Sequence, residues 1–179
     1  MAGVISLLEP HDAGRVERLW DTMQREFGVL RGFPGAIPHV SYHLGDYPPD
    51  APLQASLAAL ANQAAPFSAQ VSGIGVFGGP APVLYLAVAR GPRLAALHAE
   101  VRAVMTSLGH DNNPYYEPDN WLPHVTFAQQ NLSTEALPGV VSWLAAQPIQ
   151  FAFQVTSLAL ATETPDALEV LVPFPFATG

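Results

Sequence analysis

IPHVSYHL at residues 37–44 and LPHVTFAQ at residues 122–129 share one pattern: Pro-His-Val, then a hydroxyl residue, then an aromatic. On a β-strand successive side chains point to opposite faces. In the first copy His39, Ser41 and His43 then share one face, and Val40, Tyr42 and Leu44 the other. In the second, His124, Thr126 and Ala128 oppose Val125 and Phe127. Each strand therefore offers an apolar face to a core and a histidine-and-hydroxyl face to something else.

The flanking sequence repeats as well. An apolar run at 3–8 reads as a buried strand stopped by Glu9-Pro10, and Val16, Leu19, Trp20, Met23 and Phe27 give a helix over 11–28 closed by Gly28. After the first motif strand (39–45), Ala-rich residues 51–64 read as a helix and FSAQVSGIGVFGG at 67–79 as a strand. The second half follows suit: a strand at 83–89, a helix at 92–108, the motif strand HVTFAQQ, and a helix at about 133–146. Two further strands, 149–161 and 167–173, are separated by the turn ETPDA. The expectation is one bilobal α/β domain, α+β in the stricter sense, with pseudo-repeats at roughly 1–80 and 81–179. Its two pseudo-symmetric lobes would line a central cleft with mostly antiparallel sheets and carry their helices outside.

Composition narrows the function. Hydrophobic residues make up 49% of the 179, and no apolar run reaches the roughly 18 residues of a membrane span. The N-terminal stretch carries no early positive charge, so we expect a cytoplasmic protein without a secretory signal. There is no cysteine, which excludes disulfides and thiolate metal sites. Fifteen acidic residues face seven arginines and no lysine, for a net charge of -8. Long nucleic acids are held mainly by neutralising phosphates with basic side chains. The expected partner is a small phosphodiester or an RNA end, with no extended nucleic-acid surface, and the expected state is a monomer.

Two imidazoles meeting across a cleft suit chemistry at a phosphodiester. An unperturbed imidazole titrates near pH 6.5, so one can accept a proton from the nucleophile while the other donates one to the leaving oxygen. The Ser41 and Thr126 hydroxyls can donate to the non-bridging phosphate oxygens. Neither step requires a metal or cofactor. A lone strand histidine is more often packed or solvated than catalytic; the repeated context around both carries the functional reading.

The paired tetrapeptides HVSY at 39–42 and HVTF at 124–127 resemble the signature of the two-histidine (2H) phosphoesterase superfamily. That superfamily includes bacterial 2'-5' RNA ligase-like proteins and RNA 2',3'-cyclic phosphodiesterases. The resemblance implies a duplicated two-lobed fold, His39 and His124 as the acid/base pair, and Ser41 and Thr126 as phosphate contacts. It also implies a 2'-phosphate product. Many RNA-processing members carry a basic residue soon after the second motif, where this chain continues Ala128-Gln129-Gln130. Hydrolysis of a 2',3'-cyclic phosphate is therefore the leading expectation. The alternatives are 2'-5' RNA ligase-like activity and a non-catalytic module that binds nucleotides or RNA ends.

Further substrate contacts are read at the edges of the motifs. Arg31 precedes the first motif, where a guanidinium can pair with phosphate. Tyr115, Tyr116 and Trp121 precede the second, where aromatics can stack on a base or pin their own loop. Gln130 follows it, and His43 would line the cleft mouth. His39 and His43 cannot share one ion, because four residues of strand span about 13 Å. A metal site would instead need His39, His124 and a carboxylate such as Asp46 or Asp119. His11, His98 and His110 are assigned no chemistry.

Overall fold

The computed structural model describes residues 1–31, 35–110, 113–129, 131–164 and 167–177. Among them the chain runs β1 (Ala2–Leu7), α1 (Pro10–Phe27), β2 (His39–Gly45), α2 (Ala51–Ala61), β3 (Phe67–Phe77) and β4 (Val83–Val88). It continues through α3 (Pro92–Ser107), a 3-10 turn (Pro114–Tyr116), β5 (His124–Ala128), α4 (Leu137–Ala145), β6 (Phe151–Val155), β7 (Ser157–Glu163) and β8 (Leu168–Pro175).

The helices end where the chain supplies stops and caps. Helix α1 has proline in its first turn and closes on Gly28 at φ 65°, whose N–H donates to the Gln24 carbonyl. Only glycine adopts that left-handed conformation without steric penalty. Its inward stripe is Ala13, Val16, Trp20 and Met23. Helix α2 starts on Asp50, whose carboxylate accepts from the Leu53 N–H at 3.1 Å. Helix α4 begins later than the expected residue 133, because Ser133 Oγ accepts from Ala136 N at 3.1 Å and closes a turn first.

The strands form two antiparallel four-stranded sheets, ordered β2-β1-β7-β8 and β5-β4-β3-β6. Each mixes strands from both halves of the chain: β3 joins β4 and β5, while β7 and β8 join β1 and β2. The single strand expected at 149–161 is two strands, broken at Thr156. There the chain passes from one sheet to the other, and the Thr156 hydroxyl donates to Glu9 Oε1 at 2.5 Å.

The motif strands sit at matching sheet edges in matching register. Leu7 lies opposite His39 and Ile5 opposite Ser41, then the register slips and Val4 meets His43, leaving Tyr42 as the extra residue. In the other sheet Ala87 lies opposite His124 and Tyr85 opposite Thr126, then Leu84 meets Ala128, leaving Phe127 extra. A β-bulge adds one residue and so breaks the alternation of faces. In both copies the aromatic and its successor, Tyr42-His43 and Phe127-Ala128, are buried together. Strict alternation places His43 beside His39; the bulge turns it into the core instead.

The main core lies between the sheets and the helices, and includes Val4, Trp20, Tyr42, Leu57, Leu84, Leu86, Val101, Trp121, Phe127 and Phe153. A smaller aliphatic cluster, Ile5, Ala159, Ala161 and Leu168 with Leu7 and Val170 against it, covers the face of the first sheet that carries His39.

Candidate active site

Sheet pairing explains why each histidine follows a proline. The Pro38 carbonyl accepts from Leu8 N and the Pro123 carbonyl from Val88 N, both at 3.0 Å, so each proline extends the ladder through its oxygen. Proline has no N–H to leave unpaired at this edge. One residue earlier the Ile37 carbonyl lies 2.6 Å from His39 Nδ1, and the Leu122 carbonyl 2.6 Å from His124 Nδ1. A carbonyl oxygen only accepts, so Nδ1 carries the proton in both rings and Nε2 is left for chemistry.

Strands β2 and β5 lie in contact across the two sheets. His39, Ser41, His124 and Thr126 are all half-buried there. Burial pushes both imidazoles below their ordinary pKa of 6.5, opposed in each by the backbone hydrogen bond. On His39 a charge on His124 lowers it further. At neutral pH both are therefore neutral, and a bound anion would favour the protonated form of either.

A family model described as the 2'-5' RNA ligase superfamily matches residues 8–167. The chain belongs to that superfamily. With it the chain joins the two-histidine phosphoesterases, whose activities are of phosphodiesterase or ligase type. No curated protein matches. Among solved structures, TT0787 of Thermus thermophilus superposes with a TM-score of 0.70 at 19% identity, over 98% of this chain and 97% of that one. Escherichia coli LigT complexed with 3'-AMP gives 0.58 at 15%, over 99% and 97%. Kluyveromyces marxianus Usb1 with uridine monophosphate gives 0.50 at 12%, over 98% of each. These likenesses establish the superfamily fold across almost the whole chain.

Within that fold the outlying candidates separate. His43 is fully buried between Tyr47 and Tyr116, ring centroids 5.5 and 5.4 Å away, so it does not line the cleft mouth. Tyr116 is buried too, leaving Tyr115, 79% exposed, as the one open aromatic of the trio. Trp121 is buried against His98, rings parallel at 3.9 Å, and its indole N–H donates to the Ser41 carbonyl at 2.9 Å. It serves as a strut between the motif strands rather than an open stacking platform. The Arg31 guanidinium lies 5.5 Å from the Trp20 ring centroid, a cation–π contact that ties it to α1. Gln130 lies outside the described residues. No group of three or more His, Asp or Glu among the described residues is arranged to hold a metal ion.

Sequence reasoning missed three contributors. Phe77 and Tyr85 stand against His124, at 5.1 and 5.0 Å between centroids. Asn131 adopts φ 49° and bridges the segments leading out of and into the two motif regions. It accepts from Leu30 N at 2.8 Å and donates to the Gly28 carbonyl at 2.9 Å. Asn is the non-glycine residue most at home in that conformation, which was the available signal.

Buried neutral histidines also set a pH dependence of stability. His98, buried beside Trp121, is pushed down to about 4, chiefly by burial. For a folded pKa below the unfolded value, the unfolded chain binds more protons as pH falls. The contribution of His39, His98 and His124 is thus complete above pH 6.5 and is lost progressively below it. Denaturant titrations at pH 7.5 and 5.0 are expected to show a loss that is smaller in His98→Gln, because glutamine does not titrate. An identical loss in that variant would remove His98 from the account.

Proposed function

We propose that the protein hydrolyses a 2',3'-cyclic phosphate on a nucleotide or short RNA end. The observation that carries this reading is the pair of half-buried imidazoles on matched strands, each held through Nδ1 so that Nε2 is left for chemistry. One Nε2 removes a proton from water as its oxygen attacks phosphorus. The other delivers a proton to the ribose oxygen as its bond to phosphorus breaks, giving an acyclic phosphomonoester. Ser41 and Thr126 share the histidine faces and would donate to the non-bridging oxygens, where charge accumulates.

Substrate size follows from charge. A chain with seven arginines, no lysine and a net charge of -8 lacks the basic surface that two long RNA ends would require, which favours hydrolysis over ligation. The nucleotide complexes of LigT and Usb1 are in keeping with a small phosphorylated ligand. A panel of 2',3'-cyclic mononucleotides and short oligonucleotides ending in a cyclic phosphate tests the proposal. Turnover to the phosphomonoester is expected. Binding without turnover, or joining of RNA ends without hydrolysis, would replace it.

A further inference from the structure

Two side chains reach from the second half of the chain to main-chain groups of the first, one on either side of the second motif. Trp121, just before His124, donates its indole N–H to the Ser41 carbonyl at 2.9 Å. Asn131, just after β5, accepts from Leu30 N at 2.8 Å and donates to the Gly28 carbonyl at 2.9 Å. Gly28 ends α1, whose Val16, Trp20 and Met23 lie in the same core as Val40 and Tyr42 of β2. The exit of β5 is thereby tied to the body that carries β2. Rings link the same parts: Phe27 of α1 stands 5.7 Å from Trp143 of α4, and Trp143 stands 6.4 Å from Phe127 of β5. Apolar packing is non-directional and sets a distance, whereas hydrogen bonds weaken steeply out of line and set a register. Among the described residues Asn131 is the one non-glycine at positive φ, a backbone state that persists where its surroundings hold it.

We propose that Asn131 is a positioning residue, the second point of a two-point clasp that aligns the strand of His124 and Thr126 with the strand of His39 and Ser41. A single attachment, Trp121 on Ser41, leaves β5 free to pivot about it. A second one beyond the other end of the strand removes that freedom. The amide of Asn131 is engaged by main chain alone, so it acts through the segments that it joins and not on the substrate. Alignment matters because groups from both strands must meet one phosphate, and a displacement of about 1 Å can cost about 10²-fold in rate. The effect on the reaction rests on the two-histidine reading of the site; the alignment of the strands is a property of the protein alone.

Asn131→Gly tests it, because glycine keeps the backbone conformation without steric cost and removes both hydrogen bonds. Well below Tm, kcat on a 2',3'-cyclic nucleotide is expected to fall about tenfold while KM stays within about threefold. The backbone amide NMR signals of His39, Val40 and Ser41 should shift along with those beside residue 131. Combined with Trp121→Phe, the loss in kcat should exceed the product of the two single losses, because each attachment partly covers for the other. Wild-type kcat in a folded Asn131→Gly, whatever its Tm, would overturn the proposal. So would shifts confined to the residues that Asn131 joins, or a double variant whose losses simply multiply. Wild-type protein that turns over no cyclic phosphate, with the β2 signals still moved by Asn131→Gly, would refute the proposed reaction and leave the clasp standing.

Discussion

If the proposed reaction is right, His39→Ala and His124→Ala are each expected to lower kcat on a 2',3'-cyclic nucleotide by about 10²–10⁴-fold, the usual worth of a positioned general acid or base. KM changes little, because proton transfer belongs to the transition state and not to ground-state binding. Both rings are half-buried, and each makes one hydrogen bond to its own strand's approach, so alanine leaves the core intact and circular dichroism unchanged. Combining the two costs less than the product of the single losses, since either proton transfer alone is of little use without its partner. Steady-state kinetics on the three variants checks this. Single variants with wild-type kcat would remove the histidines from the reaction.

Trp121 governs the largest expected loss of stability. Its indole is almost fully buried, stacked on His98 and 5.9 Å from the Tyr42 ring, and it hydrogen-bonds a residue 80 positions away on the opposite motif strand. Trp121→Ala opens a cavity between the motif strands at about 3–5 kcal/mol, a large part of a total near 5–15 kcal/mol. Trp121→Phe retains most of the packing and deprives the Ser41 carbonyl of its donor, at about 1–3 kcal/mol. In a chain of this length each kcal/mol lowers Tm by about 2–4 °C. The phenylalanine variant should also lose kcat, because the strand carrying His39 and Ser41 is no longer pinned against β5. Thermal unfolding and kinetics on the same preparations check both effects. An unchanged Tm in Trp121→Phe would show that the strut bears no energy.

The division between what was legible and what was not follows from the range of the interactions. Helical spacing at Val16, Trp20 and Met23, the Gly28 stop and the alternation in HVSY and HVTF are local, and they placed helix α1 and both motif strands. The paired motifs also pointed to two histidine faces, and the strands that carry them lie in contact. The bulges were hidden, because Tyr42 and Phe127 carry no glycine or proline signal and the extra residue exists only relative to β1 and β4. That single omission misplaced His43. The break at Thr156 was hidden for the same reason: Val155, Thr156 and Ser157 all suit a strand, and only the second sheet decides that the strand must end. Phe77 and Tyr85 meet His124 through cross-strand register, and Trp121 reaches Ser41 across 80 residues. No local pattern encodes either contact.

The central claim is that two imidazoles and two hydroxyls from opposite strands act on one phosphate. A crystal structure of the protein with inorganic phosphate bound tests it most directly. The account predicts a single phosphate within hydrogen-bond distance of His39 Nε2, His124 Nε2, Ser41 Oγ and Thr126 Oγ1. A phosphate held by one histidine alone, or seated elsewhere while both Nε2 atoms face only water, would contradict it.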